Sequence, residues 1–328
     1  MNNTTNLLAF FFITQLFFAQ KPPVKDDFAH TYSIVAYDEK TGEMGVAVQS
    51  HWFAVGKVVP WTTTNAGVVA TQSFVNTDYG TQGLEIMQQM SAQEALDRIR
   101  TKDEGEAYRQ VAFISASGEV AAFTGDKCIA HAGHYIGKNF AVQANMMATD
   151  KVIEAMRLAY EQNPQLPLAE RMLQALEAAE NEGGDIRGMQ SAALVVIDAK
   201  SDEPKHPSER KIDLRVDDHS QPLTELKRLL KVHNAYEFMN QADIALENEN
   251  FDEAIRLYEK AEQLIPNQIE VSYWKAISTI NAGKRKEGMK MLQKVLKDRI
   301  NWKYLTYRLQ ENGMIELTKE ELYEVERM

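Results

Sequence analysis

Apolar and polar residues alternate over Thr31–Tyr37 (TYSIVAY), with several β-branched side chains, which predicts a half-buried strand. Asp38–Glu43 (DEKTGE) is a turn sequence, and Met44–Ser50 (MGVAVQS) reads as the returning strand of a hairpin. Ala66–Phe74 (AGVVATQSF) predicts a third strand. Ser91 and Glu94 stand in the Ser-x-x-Glu order of a capping box, which opens a short helix to about Arg100. Arg109–Ala116 and Glu119–Thr124 form another hairpin around Ser117–Gly118, and Phe140–Asn145 is a short strand. Thr149 or Asp150 caps a helix to about Gln162. Pro167 sits near the first turn of the next helix, which Gly183–Gly184 ends. Gln190–Ala199 (QSAALVVIDA) is nearly continuous apolar sequence, as in a strand covered on both faces. Ile212–Val216 follows as a strand, then a helix from about Pro222.

Residues 31–230 therefore predict about eight strands, mostly in hairpins, and about four helices, mostly in pairs. That order indicates an α+β domain with antiparallel sheet rather than a βαβ parallel sheet. From residue 231 to 328 the pattern is helical throughout. Ala242, Ala254, Tyr258, Ala261 and Pro266 fall where small and apolar residues belong in a helix–turn–helix repeat of about 34 residues. Ala276, Gly288, Leu292, Val295 and Ile300 stand one repeat length further on. Residues 235–268 resemble a tetratricopeptide repeat, the next copy is weaker, and a third pair from about Ile300 is degenerate, as a solubilising cap is. A plain helical hairpin extension is the alternative. Either form predicts a module for a protein partner, self-association, or packing on the first domain.

Leu7–Ala19 (LLAFFFITQLFFA) is apolar and uncharged. As a helix it would span about 20 Å, short of the ~30 Å hydrocarbon core. It has the length of a signal-peptide core, so residues 1–19 are expected to direct export to a periplasmic or extracellular compartment. An uncleaved anchor and a downstream start codon are the alternatives. Residues 20–30, which include KPPVKDD, read as a linker or propeptide, and no later apolar run is long enough to cross a bilayer once the signal is removed. The chain carries 47 acidic and 36 basic residues, a net charge of −11, with no basic cluster, which disfavours nucleic acid as a partner. One cysteine, Cys128, permits neither an internal disulfide nor a cysteine-rich zinc site.

Familiar catalytic motifs are missing: there is no Gly-x-Ser-x-Gly elbow, no Walker loop and no dinucleotide fingerprint. His131 and His134 form the one close histidine pair, but they lie in a glycine-flanked loop without a zincin glutamate, so no metal or other cofactor is expected. What stands out is polar chemistry at strand ends: Thr71 and Gln72, Arg109 and Gln110, Asn145, and the run Asp185, Arg187, Gln190 that leads into the apolar strand. Strand ends are rigid, so site groups gather there. Taken singly, each of these residues is better explained as a cap on backbone groups.

The blocks HTYSIVAYDEKTGEMGVAVQSHWFAVGKVVPW, ATQSFVNTDYG, RQVAFI, FTGDKC, AGHYIGKNFAVQANMM, LAERMLQALEAAENEGGDIRGMQSAALVV and LRVDDHSQPLTELKRLL resemble, in order, the bacterial family named domain of unknown function 1028. The resemblance covers about residues 31–230. It implies a four-layer αββα sandwich of the N-terminal-nucleophile (Ntn) hydrolase type, with Thr31 at the position where such chains begin. The implied chemistry is hydrolysis of an amide or peptide substrate. The Thr31 hydroxyl attacks, the free α-amino group of Thr31 acts as base, and an acyl-enzyme forms. An α-amino pKa near ~8 suits that role at neutral pH. Asn145, Thr71 and Gln72 are the candidate oxyanion donors. Arg109 and Arg187 are candidates to hold a substrate carboxylate, with Asp185 and Gln190 beside them. The mechanism needs a cut between His30 and Thr31, because an internal Thr31 has an amide nitrogen and no base. The alternative is a non-catalytic ligand-binding protein on the same scaffold, joined to a helical interaction module, in which Thr31 is an ordinary strand residue.

Overall fold

The computed structural model describes residues 28–203, 210–297 and 299–328, so the predicted signal segment and all but the end of the predicted propeptide lie outside the described residues. The strands are β1 (Phe28–Ala29), β2 (Thr31–Asp38), β3 (Glu43–Ser50), β4 (Pro60–Thr63), β5 (Gly67–Phe74), β6 (Arg109–Ser115), β7 (Val120–Thr124), β8 (Gly133–Gly137), β9 (Phe140–Ala144), β10 (Ser191–Asp198) and β11 (Ile212–Val216). The helices are α1 (Asp78–Met87), α2 (Ala92–Arg100), α3 (Val152–Glu161), α4 (Leu168–Asn181), α5 (Pro222–Glu247), α6 (Phe251–Leu264), α7 (Ile269–Asn281), α8 (Arg285–Leu296), α9 (Ile300–Glu311) and α10 (Lys319–Arg327).

All strand pairs are antiparallel. One sheet runs β1-β5-β6-β7, with β4 also on β5; the other runs β11-β10-β3-β2-β9-β8. Period-two alternation sends neighbouring residues of each strand to opposite faces. Tyr32, Ile34 and Ala36 of β2 thus join Val142, Leu194, Met156 and Leu176 in a core beneath α3 and α4. Val35, Val46, Val48, Val68, Ala112 and Ala141 meet between the two sheets. Val69, Val111 and Phe113 pack with Tyr79, Leu84 and Leu96 of α1 and α2. The layers are therefore helix, sheet, sheet, helix. Each buried valine of the middle layer contributes about 1.5–3 kcal/mol relative to exposure.

Among the elements not expected from the sequence are β4, β8 and α1. In α1 two glycines lower the intrinsic helix preference. Both permit a close approach to the sheet. A Cβ on Gly80 would lie 2.2 Å from the Trp61 ring, and one on Gly83 2.7 Å from Phe113. β4 opens on Pro60 and pairs only with β5, while β8 is bounded by Gly133 and Gly137 and places His134 in a strand rather than a loop. The Ser91–Glu94 capping box forms at the start of α2.

The boundary expected at residue 231 falls inside α5. Leu223, Leu226 and Leu230 pack on the sandwich, while Ala235, Met239, Ala242 and Ala245 pack against Ala254, Tyr258 and Ala261 of α6. One helix, about 39 Å long, belongs to both regions. α7 and α8 approach closely at Gly288, where a Cβ would lie 2.9 Å from the Ala276 carbonyl oxygen. Leu292 and Val295 are buried beside them, whereas Ile300 at the start of α9 is exposed. Among the described residues no helix is long and apolar enough to cross a membrane.

Candidate active site

At one end of the inter-sheet layer the apolar pattern stops on six strands at once. β2 changes from Val35 to Ser33 and Thr31, β3 from Val48 to Ser50, and β5 from Ala70 to Gln72. β6 changes from Ala112 to Gln110, β9 from Ala141 to Gln143 and the adjoining Asn145, and β10 from Ala193 to Ser191. All eight polar side chains are buried. Their positions keep the alternation of each strand, so they face one another between the sheets.

Burying so many polar groups is tolerable only if they satisfy one another. Gln143 Nε2 donates to Ser33 Oγ (3.2 Å), which donates to Gln72 Oε1 (2.6 Å). Gln72 Nε2 donates to Gln110 Oε1 (2.7 Å) and to the Thr31 carbonyl (3.1 Å). Asn145 Nδ2 donates to the same Gln110 oxygen (2.8 Å), and the Asn145 backbone N–H donates to the Thr31 carbonyl (3.1 Å). Gln110 Nε2 faces Ala144 O at 2.9 Å and Thr124 Oγ1 at 3.0 Å. The chain of amides therefore fixes the Thr31 backbone from both sheets, through Gln72 on the opposite sheet and Asn145 on its own.

The peptide bond before Thr31 lies at the centre of this arrangement. The His30 carbonyl accepts from Ser50 Oγ (2.6 Å) and from a guanidinium nitrogen of Arg187 (3.0 Å). Thr31 Oγ1 donates to the Ala29 carbonyl (2.8 Å) and lies 3.2 Å from Ser50 Oγ. His30 is fully buried, and its Nδ1 donates to Asn145 Oδ1 (2.7 Å). Burial lowers the His30 pKa against the opposing pull of that bond, and the Arg187 charge lowers it further. The imidazole is therefore neutral at pH 7.

Arg187 is held by a two-point pair with Asp185 at 3.0 and 2.7 Å. Asp185 also accepts from the His51 N–H (3.2 Å) and is itself buried. The turn that delivers it contains Gly183 and Gly184, both left-handed, which end α4. Ser73 and Met146, which flank the cluster, also have positive φ, of 71° and 59°. Such values in non-glycine residues concentrate where a site dictates the backbone.

The sequence candidates separate by face. Thr31, Gln72, Asn145, Asp185 and Arg187 are brought together. Thr71 points to the other face of β5 and donates to the Asn76 carbonyl (3.2 Å). Arg109 is buried away from the cluster, paired to Asp103 at 2.7 and 3.1 Å and donating to the Phe74 carbonyl. Its fork is occupied within the fold. Gln190 lies at the margin, its backbone N–H on the Ser50 carbonyl and its side chain on Asp218. Gln72 has both ends of its amide engaged, so it positions Thr31 rather than offering a free donor. Sequence reasoning passed over His30, Ser33, Ser50 and Gln143 as site residues and gave Gln110 no role of its own. The signal for all but His30 was present: a polar residue at the inward register of each strand, always at the same end.

Beside the cluster, an open cavity of about 520 Å³ is lined by Thr124, Cys128, His131 and His134. His134 Nδ1 and Thr124 Oγ1 are 2.8 Å apart, which joins the cavity wall to Gln110. Burial raises the Cys128 pKa, so the thiol is protonated at neutral pH and not an activated nucleophile. Grooves of similar size in the C-terminal helices are lined by residues such as Arg285 and Glu321, which pair with each other.

A crystal structure of a protein from Silicibacter pomeroyi, of the same DUF1028 family model, is 31% identical with a TM-score of 0.55, covering 62% of this chain and 88% of that one. No curated protein matches the chain. The model of the family of unknown function DUF1028 matches residues 31–226, beginning at the threonine around which the buried cluster is built. The match takes in more than half of the sequence, and the chain belongs to the DUF1028 family.

Proposed function

We propose that the protein is an exported Ntn-type amidohydrolase, whose sandwich is of the αββα Ntn-hydrolase kind and whose nucleophile is Thr31, unmasked by a cut after His30. The observation that carries this reading is the His30 carbonyl held by Ser50 and Arg187, with the Thr31 hydroxyl on the next residue. Two donors on one carbonyl oxygen stabilise the negative charge that develops there on attack. In the first cut, Thr31 Oγ adds to the His30 carbonyl carbon, the C–N bond breaks, and the Thr31 nitrogen takes the proton. Water then hydrolyses the resulting ester, releasing the His30 carboxylate and restoring the hydroxyl. The free α-amine left behind is the base for later substrates. It takes the Thr31 proton, passes it to the leaving amine, and water again clears the ester.

Ser50 and Arg187 become the oxyanion donors in this scheme, with Asp185 orienting Arg187. Asn145, Gln72, Gln110 and Ser33 hold Thr31 in place. The C-terminal helices, read as tetratricopeptide-like, serve as a surface for a protein partner or a second copy. Their support is the burial of the small residues Ala242, Ala254, Ala261 and Ala276 at helix crossings. The test is covalent labelling. The purified chain, treated with a small β-lactone at neutral pH, should gain one adduct, located by peptide mass on Thr31 at a new N-terminus. An adduct elsewhere, or none, overturns the proposal.

A further inference from the structure

The residues before Thr31 occupy the site as an extended peptide. β1 pairs antiparallel with β5, with Phe28 opposite Phe74 and Ala29 opposite Ser73. It lies on the same edge of β5 as β4, whose pairing stops at Ala70. Ala29 and His30 are fully buried. The His30 ring stands edge-on to Phe74, centroids 6.0 Å apart, and ends on Asn145 Oδ1. Main chain, carbonyl and side chain of this segment each have a built place: the β5 edge, the Ser50–Arg187 pair, and the Phe74 ring with the Asn145 amide.

The ester formed in the first cut joins the His30 acyl group to Thr31 Oγ. That ester is chemically the acyl-enzyme that a separate peptide with histidine at the attacked carbonyl would form. A site that holds one holds the other. We infer that, once the cut segment has left, the site takes extended peptides that add a strand to the β5 edge and place histidine at the residue whose carbonyl is attacked. Strand addition of this kind draws affinity from the main chain and selectivity from side-chain contacts. All of these contacts lie on the acyl side of the attacked bond, so the substrate is a peptide and not a lone amino-acid amide, and the leaving group is the amine on the other side of that bond. The released segment is a product of the same shape and competes for the same place. This inference rests on the Thr31 nucleophile proposed above.

The experiment measures the rate of β-lactone labelling at Thr31 in the full chain after self-cleavage and extensive dialysis. Added peptides are acetyl-Phe-Ala-His, acetyl-Phe-Ala-Leu and acetyl-His, each as the free acid. Acetyl-Phe-Ala-His should slow labelling at least about tenfold at a concentration where the other two slow it less than about twofold, a difference of one decade in affinity. The Asn145→Leu chain, if it labels, should lose the preference for histidine over leucine. Normal labelling with no protection by acetyl-Phe-Ala-His, or equal protection by acetyl-His, overturns the peptide inference and leaves the nucleophile standing. Absence of labelling at Thr31 overturns both.

Discussion

The two ends of the inter-sheet layer are built from the same strands in opposite styles. At one end Val35, Val46, Val48, Val68 and Ala112 make contacts that are interchangeable in kind and summed over area. At the other, Thr31, Ser33, Ser50, Gln72, Gln110, Gln143 and Asn145 make a network in which each group depends on a named partner. The apolar end gives the sheets their reason to stack. The polar end fixes one peptide bond in one orientation. A protein needing only stability would continue the valines along every strand, because replacing a buried polar network by apolar groups of similar shape is often neutral or favourable. The presence of the network on five strands together is the physical argument for a site.

Substitutions sharpen that contrast. The largest effect is expected for Thr31→Ala, which removes the proposed nucleophile. Peptide cleavage should fall on the order of 10⁴-fold or more, while the denaturant midpoint stays close to that of the uncut parent chain. A midpoint shift as large as the activity loss would place Thr31 with the structural residues. Ser50→Ala comes next. Loss of one of the two donors on the His30 carbonyl should slow the His30–Thr31 cut by about 10²-fold, read by gel shift over time. An unchanged rate removes Ser50 from the scheme.

Third is a matched pair at opposite ends of the layer. Val46→Ala should cost about 2 kcal/mol of stability through lost burial and the cavity left behind, with the cut rate within about twofold of the parent by the same logic. Gln72→Leu should cost about 1–3 kcal/mol because it leaves the buried Ser33 and Gln110 groups short of a partner, and it should also slow the cut. If Val46→Ala slows the cut as much as Gln72→Leu, the two ends are not functionally distinct.

The smallest effect concerns pH. The folded His30 pKa lies below its ordinary value of 6.5 because the ring is buried. As pH falls below 6.5 the unfolded chain takes the proton first, so stability falls with pH until the folded ring protonates too. In uncut Thr31→Ala protein the urea midpoint should therefore drop from about pH 7 to about pH 5 more than in Thr31→Ala/His30→Gln protein. Parallel profiles would show that His30 is not held neutral by the site.

Much of the fold was legible because alternation and turn chemistry carry it. The hairpin from Thr31 to Ser50, the Ser91–Glu94 cap, and the glycine pair that ends α4 form as read. α1 was missed because Gly80 and Gly83 suppress local helix preference and gain their value from the Trp61 and Phe113 rings, which are distant in sequence. The same limit governs the site. Gln72 and Asn145 were visible as polar ends of apolar strands. That Thr71 and Arg109 face the other way follows from register, which a strand read alone does not fix. Ser50 and His30 matter through the bond between residues 30 and 31, and only the pairing of β2 with β3 brings Ser50 opposite Thr31. The domain boundary expected at residue 231 falls inside α5, which keeps one helical pattern while changing the neighbour it packs against between Leu230 and Ala235.

The most direct measurement is the intact mass and N-terminal sequence of the full chain, purified and incubated at neutral pH, beside its Thr31→Ala variant. The account predicts that the parent comes to begin at Thr31 while the variant keeps the bond between residues 30 and 31. An intact His30–Thr31 bond in the parent, or the same cut in both, would contradict it.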